Sequence, residues 1–322
     1  MTRVLQALLA VSLLVTVTHS TPVRAEFPDR PIRIVIPFGA GGLADITMRL
    51  VGQKLTERTG QQVVIENRPS AGGILAAAAF ANAAPDGYTL FVLSSGSAIS
   101  RALIKSLPYD ALTAFTPVST VAFFDLLVLV KADSPLRSIA DALAAARATP
   151  DKFNIGTILR GSTQNTTAEL LRSATGVNMT IVPMRNTAEV TTALLRGDVT
   201  IAVETYAALR AQIDDGALRP IGSSGDVRSP FLPKVPTLHE GGVSAEVVGW
   251  NALVAPAGTP EAVIATLNRH IRTIVDSAEF RARMHELGTE ARASSPQELW
   301  ARFKSDIEKW AIVVKQAGLE PK

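Results

Sequence analysis

Between Ile32 and Asp45 the chain passes from a β-branched apolar run, Ile32-Arg33-Ile34-Val35-Ile36, through Pro37 into Phe38-Gly39-Ala40-Gly41-Gly42. The run reads as a buried strand. Pro37 has no N–H to give to a ladder, so the strand ends there. Three glycines among the next five residues leave most of that loop without side-chain bulk. From Met48 to Leu55 apolar residues return at helical spacing. Strand, glycine loop and helix in that order aim bare backbone N–H groups and the positive end of a helix dipole at one point, which suits an anion. The same order recurs with Val63-Val64-Ile65 as strand, Glu66 to Gly73 as loop and Ile74 to Ala84 as an alanine-rich helix. One such loop could serve only to turn the chain. Two, at the ends of neighbouring parallel strands, make an anion-binding edge.

Strand and helix continue to alternate. Thr89-Leu90-Phe91-Val92-Leu93 is a third strand, running into Ser94-Ser95-Gly96-Ser97. This alternation predicts an α/β fold of mostly parallel sheets flanked by helices. The apolar stretch from Val118 to Val130 is long for one strand and is interrupted by Asp125, so it reads as a strand leaving one domain for another. A second α/β unit follows: a helix over Ser138–Ala148 with Ser138 as N-cap, a strand at Phe153–Thr157, a helix from Gln164 to Thr175, a strand at Met179–Pro183, a helix over Thr187–Arg196 and a strand at Val199–Val203. Ser223 to Gly242 holds Pro230, Pro233 and Pro236 and is a loop. Val247 to Ala255 then returns as a strand to the first domain, and helices near 260–276, 278–287 and 296–316 complete the chain. Two crossings predict two lobes, 26–123 with 251–322 and 124–250, around a cleft that can close on a ligand. Trp250, at the return crossing, either belongs to the core or lines that cleft.

Several function classes are disfavoured. The net charge of +3 over 322 residues, with Lys and Arg scattered, gives no basic block for nucleic acid. Residues 1–25 read as a secretory signal, with Arg3, an apolar run from Val4 to Val17, and Val23-Arg24-Ala25 as cleavage site. Cleavage removes Arg3 and Arg24 and no acid, leaving a charge of +1 on a protein expected to be soluble and exported. With no cysteine there is no disulfide and no thiolate metal site. His239, His270 and His285 lack metal-ligand spacing, and no G-x-S-x-G elbow is present. One competing pattern exists: Gly39-x-Gly41-x-x-Ala44, with Glu66 at the end of the next strand, fits a dinucleotide fingerprint. An export signal, the superfluous second glycine loop and the lack of a hydride-transfer partner all weigh against it.

Three motifs carry a family resemblance: Pro37-Phe38-x-Ala40-Gly41-Gly42-x-x-Asp45, Glu66-Asn67-Arg68-Pro69-x-Ala71-Gly72-Gly73 and Pro85-Asp86-Gly87-Tyr88-Thr89-Leu90. Gly161-Ser162 with Glu169-Leu170, Pro236-Thr237-Leu238-x-Glu240, Ala255-Pro256-Ala257-Gly258-Thr259-Pro260 and Lys309-Trp310 extend it along the chain. The chain resembles the solute receptors of tripartite tricarboxylate transporters, the Bug receptors. The resemblance implies a two-lobed, venus-flytrap periplasmic binding protein of type II, monomeric, without catalysis or cofactor. Such a receptor binds a small organic carboxylate and hands it to a membrane permease. It assigns Phe38, Gly39, Ala40 and Gly41 to one binding loop and Ala71, Gly72 and Gly73 to the other. Ser94 joins them, and Thr157, Ser162, Glu204 and Thr205 belong to the facing lobe. The facing lobe departs from the family pattern: Leu159 and Asn165 stand for a glycine and a histidine, Met184-Arg185-Asn186 for Tyr-Lys-Gly, and Val203-Glu204 for Phe-Asp. Arg160 either reaches the cleft to pair with a second carboxylate in the bidentate manner arginine favours, or is a solvated loop residue. Glu204, facing the cleft, would repel a second negative charge unless paired. Two alternatives stay open: an NAD(P)-dependent oxidoreductase using Gly39, Gly41, Ala44 and Glu66, and a ligand-sensing domain for a membrane signalling partner.

Overall fold

The computed structural model describes residues 27–70 and 73–316. The expected export signal, and the loop residues Ala71 and Gly72, lie outside them. The chain opens with β1 (Ile32–Ile36), whose isoleucines are fully buried, and α1 (Leu43–Thr59). Helix α1 turns Leu43, Thr47, Met48, Val51 and Leu55 inward at three- and four-residue spacing. It lies close on the next strand, β2 (Val63–Asn67): a Cβ at Gly52 would stand 3.2 Å from Val63 and 3.3 Å from Ile65. Then come α2 (Ile74–Ala81), β3 (Thr89–Ser94) and α3 (Ser95–Leu103). Helix α3 occupies what the sequence presents as a Ser-Gly-Ser loop. Its helix propensity is poor, but packing against the C-terminal helix overrides that.

The strand that leaves the first lobe is two strands, β4 (Phe115–Asp125) and β5 (Leu127–Lys131), with Leu126 between them. The second lobe continues with α4 (Ile139–Ala148), β6 (Asn154–Ile158), α5 (Thr163–Thr175), β7 (Thr180–Met184), α6 (Thr187–Arg196) and β8 (Ile201–Glu204). A helix and a strand that the pattern did not announce close it, α7 (Tyr206–Asp214) and β9 (Leu218–Ser223). The chain returns as β10 (Val248–Pro256), followed by α8 (Glu261–Val275), α9 (Ala278–Glu286), β11 (Glu290–Ala291) and α10 (Pro296–Gln316).

Two sheets result, ordered β11-β4-β10-β3-β1-β2 and β7-β6-β8-β5-β9. The expected parallel pairing holds for β2-β1-β3 and for β7-β6-β8, while the crossing and returning strands add antiparallel pairs. Each lobe is thus a mixed sheet whose parallel half carries the strand–turn–helix units.

The passage between lobes is tied by one side chain. Ser224, fully buried, accepts from the Leu126 N–H at 2.9 Å and donates to the Val247 carbonyl at 2.5 Å through its hydroxyl. Its own backbone bonds the same two residues, N–H to Leu126 carbonyl at 2.8 Å and carbonyl from Val247 N–H at 2.9 Å. Trp250, just past this point, is fully buried, packs edge-on against Phe303 and donates to Asp306 at 2.6 Å. It belongs to the core.

Candidate functional site

In open α/β sheets ligands bind beyond the carboxyl ends of parallel strands, where helix N-termini gather. Both sheets present those ends to the same cleft. A cavity of about 30 Å³ lies there, lined from lobe one by Phe38, Gly39, Gly42, Leu43, Ala44, Ser94, Phe124 and Asn251. Ile158, Thr163, Gln164, Asn186, Thr187 and Thr205 line it from lobe two. These residues put the starts of α1, α3, α5, α6 and α7 around one space. No charged side chain is among them.

The lobe-one wall is held by a small network. Asp45, 5% exposed, accepts from the Gly41 N–H at 3.0 Å and from Arg49 Nε at 3.1 Å. Burial pushes its carboxyl up, but the Arg49 guanidinium, the Gly41 N–H and Asn67 outweigh that and hold it below the ordinary value. Asn67 donates to the Phe38 carbonyl at 3.2 Å, so the second strand's end fixes the first loop. Gly73 packs behind: its φ is +70°, and a Cβ there would stand 2.9 Å from Pro37. Ser94 is 2% exposed, and its hydroxyl makes no hydrogen bond of good geometry among the described residues. A buried polar atom left open at a helix start is a place for a ligand atom.

The lobe-two wall is organised from behind by Glu204. Its side chain is fully buried and accepts from Gln164 Nε2, from the Thr205 N–H and from the Thr187 hydroxyl, each at 2.8 Å. Burial pushes the carboxyl up against the opposing effect of those hydrogen bonds. Ser162 caps α5 by accepting from the Asn165 N–H at 3.1 Å, and the Asn165 amide donates to Thr157 at 3.2 Å. Asn186 caps α6 by accepting from the Glu189 N–H at 3.0 Å.

The lobes touch. A Cβ on Gly39 would lie 2.7 Å from the Asn186 Cβ, and one on Gly96 would lie 2.8 Å from the Gly161 carbonyl. Ser95 and Thr163 share a hydroxyl hydrogen bond of 2.8 Å across the seam. The remaining space admits about one water, so anything larger enters only when the lobes part.

Of the residues singled out from sequence, Phe38, Gly39, Ser94 and Thr205 line the cavity. Thr157, Ser162 and Glu204 are buried behind its wall, where they brace the residues that do. Ala40 and Gly41 are exposed on the outer side of the loop, and Gly41, at φ +82°, serves the turn and the bond to Asp45. Arg160 is exposed and is not part of the lining. Sequence reasoning missed Asn251, Asn186, Thr187 and Gln164. Asn251 had a signal, a polar residue inside the apolar run Val247–Ala255, and it is 2% exposed beside Ser94. Glu66, which a dinucleotide site would need at a ribose, is engaged by Arg68 at 2.5 Å and Arg33 at 3.5 Å. Among the described residues no group of three or more His, Cys, Asp or Glu side chains is placed to hold a metal ion.

Comparison with known proteins agrees with this geometry. The model of the tripartite tricarboxylate transporter family receptor matches residues 47–319. Protein BugT of Bordetella pertussis is 32% identical over 326 residues, spanning 100% of this chain and 99% of that protein. The periplasmic binding protein BugD superposes with a TM-score of 0.87 at 29% identity, over 92% of this chain and 100% of that one. An R. palustris protein solved with adipate gives a TM-score of 0.87 at 32% identity, over 92% and 100%. MatC from Rhodopseudomonas palustris with bound malate gives 0.85 at 31% identity, over 89% and 100%. These relatives are solute-binding receptors, not enzymes.

Proposed function

This chain belongs to the tripartite tricarboxylate transporter family of receptors, and from that premise we propose that it is a periplasmic receptor that closes on a small organic carboxylate. The observation that carries the reading is the convergence of five helix starts on one interlobe space, with the Ser94 hydroxyl open at one of them. Backbone N–H groups there give charge-assisted hydrogen bonds to a carboxylate. The Phe38–Gly42 loop, tied by Asp45 and Asn67, supplies them without a lysine or arginine. The solved relatives with adipate and malate support the ligand class. The receptor acts as a monomer and passes its ligand to membrane permease subunits.

A thermal-shift screen of the mature protein across organic acids tests the class, because a ligand that binds only the folded state raises the midpoint. At least one carboxylate is expected to do so, with no response to NAD. A response to NAD alone would remove the proposal. Delivery is tested separately: deleting the gene should abolish uptake of the acid that binds.

A further inference from the structure

Resting on that carboxylate reading, we infer that the lobe-two wall accepts hydrogen bonds, so that the preferred ligand turns one carboxylate to lobe one and an N–H donor, an amide or ammonium, to lobe two.

The inference comes from where the donors of that wall are spent. A carboxylate is acceptor-only, and a threonine hydroxyl has a single hydrogen to give. Thr187 gives its hydrogen to Glu204 Oε2, which leaves lone pairs directed elsewhere. The Thr205 N–H is spent on Glu204 Oε1, and the Thr205 hydroxyl also lies 3.5 Å from that oxygen. The Gln164 amide is anchored by its nitrogen on the same atom, and its carbonyl oxygen has no partner among the described residues. Thr187, Thr205 and Gln164 all line the cavity. Three helix starts that would ordinarily attract an anion have therefore been turned onto a buried glutamate one hydrogen bond behind the wall.

The remaining lobe-two donor is the Asn186 amide nitrogen. It sits at the seam against Gly39, on the side where lobe one offers its own N–H groups. No lysine or arginine lines the space to neutralise a second negative charge. A second carboxylate would meet lone pairs with the Glu204 charge behind them, whereas an amide or ammonium would find acceptors. Glu204 acts through Thr187, Thr205 and Gln164 and is a positioning residue for ligand choice.

The test uses two matched sets of probes in titration calorimetry: succinate, succinamate and butyrate, and adipate, adipamate and hexanoate. In at least one set the monoamide should bind the wild-type protein at least about tenfold more tightly than the diacid, the worth of one hydrogen bond involving a charge. Glu204→Gln keeps an oxygen for Gln164 and Thr205 but offers an N–H to Thr187, so the Thr187 hydrogen turns into the cavity. Its preference should then fall to parity or invert towards the diacid. Thr187→Val removes the acceptor and should lower monoamide affinity while sparing the simple monoacid. That second variant decides the matter if Glu204→Gln does not fold. A purely structural role for Glu204 would weaken all probes together and leave their ratio unchanged. Diacids binding as tightly as monoamides, or ratios unmoved in the folded variants, would overturn this inference and leave the receptor reading standing. No binding by any of the six would remove both.

Discussion

Replacing Gly39 with alanine should hold the cleft open, and the size of the effect can be worked out from the seam. Gly39 does not use a left-handed backbone, so alanine brings no φ strain. It does bring a Cβ to 2.7 Å from the Asn186 Cβ, where carbon atoms are at ease at about 3.5–4.0 Å. If the lobes move as rigid bodies they must part there by roughly 1 Å. The Ser95–Thr163 bond, 2.8 Å in the closed form, would then stretch past useful length. Overpacking of this kind costs about 1–3 kcal/mol, and a neutral hydrogen bond is worth about 0.5–1.5 kcal/mol. Together they penalise the closed state by roughly 2–4 kcal/mol, which weakens a ligand that needs closure by about 30- to 1,000-fold. The unliganded melting temperature should scarcely move, since the open form relieves the contact. Titration calorimetry with the best acid from the screen measures the affinity, and small-angle scattering measures whether ligand still compacts the molecule. Wild-type affinity together with wild-type compaction in Gly39→Ala would refute closure through this seam.

Three further outcomes are expected. Burial, reinforced by Asp226, pushes the Asp125 carboxyl up to about 6. The folded protein therefore holds that proton more tightly than the unfolded chain, and the stability it confers is complete below about pH 4 and lost as pH rises through 6. Asp125→Asn should accordingly be more stable than wild type at pH 7.5, by up to about 3 kcal/mol in urea unfolding, with the gap gone at pH 4. Ser224→Ala leaves the buried Leu126 N–H and Val247 carbonyl without their side-chain partner and should cost about 1–3 kcal/mol by the same measurement. Arg160→Gln, altering an exposed side chain outside the cavity, should leave mono- and dicarboxylate affinities within about twofold of wild type by calorimetry.

Much of the scaffold was legible because its strands and helices obey strong local rules. Ile32–Ile36 is apolar, β-branched and stopped by a proline, and it is the buried β1. Ser138 and Asp141 announce the start of α4, and Ser138 does accept the Asp141 N–H at 3.1 Å. The interruption at Asp125 marked the crossing to within a residue. Elements whose stability comes from tertiary contacts were not legible. Helix α3 begins with Ser95-Gly96-Ser97, and its glycine is required by the other lobe, since a Cβ there would meet the Gly161 carbonyl. Residues 206–214 and 218–223 carry neither a clean stripe nor turn signals at both ends, so α7 and β9 went unread.

The two walls of the cleft differ in legibility for a chemical reason. Lobe one makes its site with backbone, and backbone exposure has a spelling: glycine where a Cβ would collide, as at Gly39, and aspartate where a loop N–H needs an acceptor, as at Asp45. Lobe two makes its wall with side chains whose meaning lies in their partners. Asn186-Thr187 opens a helix after a strand just as the glycine loops do, yet nothing in the residues says that the Thr187 hydrogen points away from the cleft. Glu204 from sequence alone is an acid at the cleft, a repulsive charge awaiting a cation. In the fold it is fully buried and meets only donors, so its charge is met by dipoles and needs no arginine. The proposed pairing with Arg160 is thereby unnecessary, and the same hydrogen bonds that stabilise Glu204 decide which polar face the wall shows to a ligand. Where one buried acceptor consumes every nearby donor, selectivity is set one layer behind the contact surface, and substitutions confined to cavity-lining residues would not locate it.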